Sequence, residues 1–96
     1  MKNLLNETLE KLETYNKTES DVSYVDYEGY FSFEKFKKIA NFEYNDGYGG
    51  HEIPMSLKIV GDNWWLERAE YDGSEWWEFK TMPLKPNKEN INPELN

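Results

Sequence analysis

The stretch Trp64-Trp65-Leu66-Glu67-Arg68-Ala69-Glu70-Tyr71-Asp72-Gly73-Ser74-Glu75-Trp76-Trp77-Glu78-Phe79-Lys80-Thr81 decides the fold, because two aromatic-rich runs flank a single Asp-Gly step. Asp and Gly tolerate the positive backbone angles of a two-residue hairpin, so Asp72-Gly73-Ser74 is expected to fold residues 64–71 back on residues 76–82. Side chains alternate across a strand, which puts Trp77, Phe79 and Thr81 on one face and Trp76, Glu78 and Lys80 on the other. The same alternation keeps Trp64 and Trp65, or Trp76 and Trp77, from both pointing inward. Upstream, the short β-branched run 57–60 ends at Gly61-Asp62-Asn63, a second tight break. The three runs together predict a three-stranded antiparallel β-meander.

Working outward, residues 45–50 read as the loop of the chain, since Gly47, Gly49 and Gly50 leave no regular element room to form. Ser32 is a good N-cap for a short helix over 33–40, in which Phe33, Phe36, Ile39 and Ala40 recur at helical spacing and Lys35, Lys37 and Lys38 face away. Leu5, Leu9, Leu12 and Tyr15, with Leu4 beside them, predict a helix over 3–16 whose solvated side carries Glu7, Glu10, Lys11 and Glu13. Between the helices, residues 22–31 are rich in Tyr and Val but broken by Gly29, so a strand and an extended loop both fit. The expected class is α+β, with two helices packed on a three-stranded antiparallel β-meander. Residues 1–83 are expected to form a single α+β domain and 84–96 a polar, flexible C-terminal tail marked by Pro86 and Pro93.

A chain of 96 residues holds one modest core, and its 17% aromatic content lets few positions bury much area. With no cysteine there is neither a disulfide nor a thiolate metal site. No apolar run approaches a membrane span, and Leu4-Leu5 is followed at once by polar residues, so a cytoplasmic location is expected. The net charge of -8 is concentrated: residues 41–78 carry nine acids against Lys58 and Arg68, together with all four tryptophans. Charge on an aromatic-braced surface differs from a disordered acidic tail, and it repels nucleic acid and anionic membranes. The expected partner is a basic protein.

Catalytic chemistry has little to build on. His51 is the lone histidine, no serine sits in a nucleophile elbow, and the 47–50 glycines match no phosphate-binding pattern. Asp46-Gly47 and Asp72-Gly73 lack the alternating ligands of a calcium loop, and the many carboxylate pairs have no evident sugar cleft to serve. No enzyme activity, cofactor or metal is expected. The candidate partner-binding residues are Asp46 and Tyr48 at the loop tip, with Asp62, Glu67, Glu70, Asp72, Glu75 and Glu78 in the meander. These acids either solubilise the sheet and protect its edges or form a functional row, because alternate strand residues stand about 6.6–6.8 Å apart and approximate charge spacing along a nucleic-acid strand.

The stretch from Gly61 to Lys80, with its two Trp-Trp steps among acids, resembles small acidic proteins carried by phages and prophages of Gram-positive bacteria. Proteins of that size and acidity include anti-CRISPR inhibitors, which occupy the DNA-reading surface of an RNA-guided nuclease. The resemblance implies a phage counter-defence role; such inhibitors share no motif from which site residues transfer. The expected function is therefore a monomeric, non-enzymatic, DNA-mimic-like inhibitor that binds the basic nucleic-acid-binding surface of a host defence nuclease. The alternative is a phage structural or regulatory protein that oligomerises through its aromatic sheet face. A small carboxylate-dependent hydrolase is a third.

Overall fold

The computed structural model describes residues 1–45, 47 and 52–95. Asp72 and Gly73 both take positive φ, 52° and 86°, and the chain reverses between β6 (Trp64–Tyr71) and β7 (Ser74–Thr81) with Tyr71 opposite Ser74. The paired positive angles match the right-handed strand twist, which is why Asp-Gly closes this hairpin. β5 (Lys58–Val60) pairs antiparallel with β6, and Gly61 N–H donates to the Trp64 carbonyl at 2.8 Å to close that turn.

The sheet has five strands, which corrects the expected three. The ambiguous Tyr- and Val-rich tract forms a hairpin of β2 (Tyr24–Asp26) and β3 (Tyr30–Phe31), turned by Glu28 and Gly29 at positive φ. β2 adds to β5, giving the antiparallel order β3-β2-β5-β6-β7. A separate two-stranded pair joins β1 (Lys2–Asn3) to β4 (Glu43–Tyr44). Beyond Thr81 the described residues carry no helix or strand.

Both helices cover one face of the sheet. α1 (Leu4–Thr14) is capped by the Asn3 side chain, which accepts from Asn6 N–H at 2.9 Å. Two more of its unpaired first-turn donors, Leu4 and Leu5 N–H, reach the carbonyls of Phe42 and Ala40, which ties α1 to the end of α2 (Phe33–Ile39). α2 starts at Ser32, whose hydroxyl accepts from Lys35 N–H at 3.1 Å. Leu4, Leu12, Phe33 and Phe36 share a core with Val25, Ile59, Leu66 and Trp77 of the sheet.

The buried stripe of α1 is rotated from its expected position. Leu4, Thr8 and Leu12 are buried, Leu5 and Leu9 are only partly so, and Tyr15 is 41% exposed. A threonine can occupy the centre because its hydroxyl donates to the Leu4 carbonyl at 2.7 Å and accepts from the Trp77 indole at 2.9 Å. The rotation takes Glu7 out of solvent, leaving its side chain 9% exposed.

Gly61 is set by close approach, since a Cβ there would overlap the buried Trp64 indole, itself stacked on Phe79. Gly61→Ala is expected to cost about 1–3 kcal/mol in urea unfolding through overpacking. Gly47→Ala, whose added methyl would meet no atom of the described residues within 4 Å, should change stability by less than about 0.5 kcal/mol.

Candidate functional site

β6 and β7 send charged side chains to both faces, with opposite results. On the covered face, Arg68 has a fully buried side chain, and its Nη2 donates to Glu75 Oε1 at 3.2 Å and to the Tyr44 hydroxyl at 2.9 Å. Its Nη1 lies 3.5 Å from Glu7 Oε2, and its guanidinium sits over the Trp77 ring at 4.7 Å. The Glu75 carboxylate also accepts Glu52 N–H at 2.6 Å and Ile53 N–H at 3.2 Å, and Tyr44 donates to Glu7. Among the described residues Arg68 Nε and Nη1 have no hydrogen-bond partner, and the face of the Trp77 ring takes up part of that charge.

This cluster corrects two expectations. Glu75 is no partner-binding residue, because its side chain is fully buried and fully engaged. Glu7 is no solvated helix charge, because it closes the cluster from α1. A desolvated guanidinium has to be met by carboxylates, and these two supply that match.

The other face of the sheet is covered by no element among the described residues, and none of its side chains is buried. Strand register lines up Asp26, Lys58, Glu67 and Glu78 in one row across β2, β5, β6 and β7. The next row is Tyr24, Val60, Trp65 and Lys80. Glu67 and Glu78 stand directly opposite each other, a like-charge pairing that disfavours the folded sheet. Each is held by a neighbouring indole: Trp65 Nε1 donates to Glu67 at 2.7 Å and Trp76 Nε1 to Glu78 at 3.2 Å. Lys80 Nζ approaches Glu78 at 3.4 Å. Trp64 and Trp77 point into the core, leaving Trp65 and Trp76 half-buried on the open face.

Of the expected site residues, the structure brings together Glu67 and Glu78. Asp46 and Tyr48 lie outside the described residues. Asp62 and Asp72 are exposed in the turns at opposite ends of β6, a strand of eight residues that spans about 26 Å at the usual rise. Glu70 falls on the helix side of the alternation and accepts Gly73 N–H at 3.3 Å near the hairpin tip. The expected row of carboxylates along a strand is not formed, because the open face of β6 carries Trp65, Glu67, Ala69 and Tyr71. Glu67 and Glu70 are three residues apart and so oppose each other across the sheet. Asp26 was missed as a site residue because the β2 tract had no assigned strand to place it, and Lys58, in the expected 57–60 strand, because the candidates there were acids alone.

An apolar cavity of about 200 Å³ lies between the helices and the 52–57 segment, lined by Phe31, Phe36, Phe42 and Leu57, with Glu52 and Tyr27 as the ionisable groups among its described lining residues. Among the described residues no group of three His, Asp or Glu side chains is placed to share a metal ion. Comparisons with protein families, curated proteins and solved structures give no match for this chain.

Burial, and then the Glu7 hydrogen bond, push the Tyr44 phenol well above its ordinary value of 10.0, against an opposing pull from Arg68. The folded state therefore keeps this proton after the unfolded chain has lost it, so stability is full below about pH 10 and falls as pH rises further. The urea midpoint should drop between about pH 9 and 11 in the wild type and drop less in Tyr44→Phe. Ultraviolet titration should show Tyr44 ionising only as the chain unfolds.

Proposed function

We propose that this chain is a non-enzymatic acidic binding protein whose open sheet face docks on the basic nucleic-acid-binding surface of a partner protein. The resemblance of residues 61–80 points to a phage-encoded inhibitor and to a host RNA-guided nuclease as the target. The observation that carries the reading is the Glu67–Glu78 pair, which faces solvent on an uncovered face at a cost to the sheet. Directly opposed residues place their Cβ atoms about 4.5–5.5 Å apart, close enough for both carboxylates to receive one guanidinium or a pair of lysines. Trp65 and Trp76 flank the acids with indole faces suited to cover such a cation.

Net charge supports the same reading. The buried cluster of Arg68, Glu7 and Glu75 removes one base and two acids from the surface, so the exposed remainder stays strongly negative. A field of that sign accelerates encounter with a basic channel and repels the nucleic acid that the channel normally holds. Association of two copies face to face is disfavoured, since it would bring one Glu67–Glu78 pair against another.

The test is inhibition of DNA cleavage by a purified RNA-guided nuclease, comparing two double reversals that each change net charge by four units. Glu67→Lys with Glu78→Lys should weaken inhibition at least about tenfold, whereas Glu10→Lys with Glu13→Lys on α1 should retain most of it. Wild-type affinity should also fall steeply from about 0.05 to 0.5 M salt. Equal losses from both doubles, with unchanged circular dichroism, would exclude the open face as the binding surface.

A further inference from the structure

The two edges of the main sheet differ in length. β3 closes one edge with two residues, a length too short to template pairing, whereas β7 leaves an eight-residue edge with no proline in it. Backbone direction along β7 follows from the Met82 N–H bond to the Asn63 carbonyl at 2.9 Å. Groups alternate along an antiparallel strand, so Lys80, Glu78 and Trp76 bond toward β6 while Thr81, Phe79 and Trp77 present N–H and C=O to the free edge. Among the described residues the edge is open: a groove runs along it between Lys11 of α1, its C-cap Tyr15 and residues 76–80 of β7.

We infer that this edge pairs with the β7 edge of a second copy of the chain, antiparallel and centred on Phe79. Phe79 then meets Phe79 of the second copy, and Trp77 meets its Thr81, so the hydrogen-bonded positions are those whose backbone groups point outward. The same register sets Glu78 opposite Lys80 of the second copy, on the open face, and Lys80 opposite its Glu78. It also brings Trp76 against Met82, which is 58% exposed in the single chain. Moving the centre to Glu78 would oppose two glutamates, and moving it to Trp77 would leave Glu78 facing an indole. The Phe79-centred register alone among these pairs each charge with its opposite. Such a contact is isologous and closes at two copies. It joins the two open faces into one continuous surface and goes beyond the proposed function, which needs no second copy.

The test uses the protein alone, so its failure leaves the open-face reading standing. Sedimentation velocity from about 10 μM to 1 mM should show reversible doubling of mass. Glu78→Lys and Lys80→Glu should each weaken the dimer at least about tenfold, and the double exchange E78K/K80E should return it to within about threefold of wild type. Thr81→Pro, which removes an outward N–H, should give a monomer with unchanged circular dichroism. A wild-type monomer at the highest concentration, a dimer indifferent to the single substitutions, or a double exchange no tighter than the singles would each overturn the inference.

Discussion

Arg68 is the point on which the rest of the molecule closes. Its guanidinium lies between β6, β7, α1 and the β4 strand, with Glu75, Glu7 and Tyr44 as partners and the Trp77 ring beneath it. Glu75 extends the cluster to the backbone of residues 52–53, so the segment that leads into β5 is tied to the same charge. Removing Arg68 from such a cluster leaves two buried carboxylates without a counter-charge, which is far costlier than losing a surface pair. Thr8 extends the polar interior by one more bond, to Trp77.

That constraint sorts the acids of the chain. Glu75 and Glu7 are committed inward, and Glu70 turns back onto its own hairpin. Glu67 and Glu78 remain on the open face, opposed across two strands and steadied by indole N–H groups. Acidic composition alone therefore overstates the proposed binding surface, a compact patch of two carboxylates and two indoles rather than a row.

The sequence showed best what local chemistry dictates. The Asp-Gly turn, the Ser32 cap and the division of each Trp-Trp step between the two faces follow from backbone angles and strand alternation, while which member is buried follows only from the packing. Elements of two residues, such as β1, β3 and β4, carry no periodicity to detect, and they exist because longer partners position them. The Thr8 stripe was illegible because polarity suggested exposure, while its hydroxyl finds both of its partners inside the fold. The burial of Glu75 was written in its alternation with Trp77, on the helix-facing side of β7. An acid at a core position, on the strand next to the single arginine and two residues out of register with it, was the signal for the buried pair.

The sorting of acids by burial is open to one direct measurement, urea unfolding of Glu75→Gln and Glu67→Gln at neutral pH. Both substitutions remove one negative charge and keep side-chain size. Glu75→Gln should lose about 1.5–3 kcal/mol because Arg68 keeps only Glu7 as a counter-charge and the bonds from Arg68, Glu52 N–H and Ile53 N–H lose their charged acceptor, and Glu67→Gln should be within about 0.5 kcal/mol of wild type or gain stability as its repulsion with Glu78 is relieved. Small and equal losses from the two would contradict a fold organised around buried Arg68.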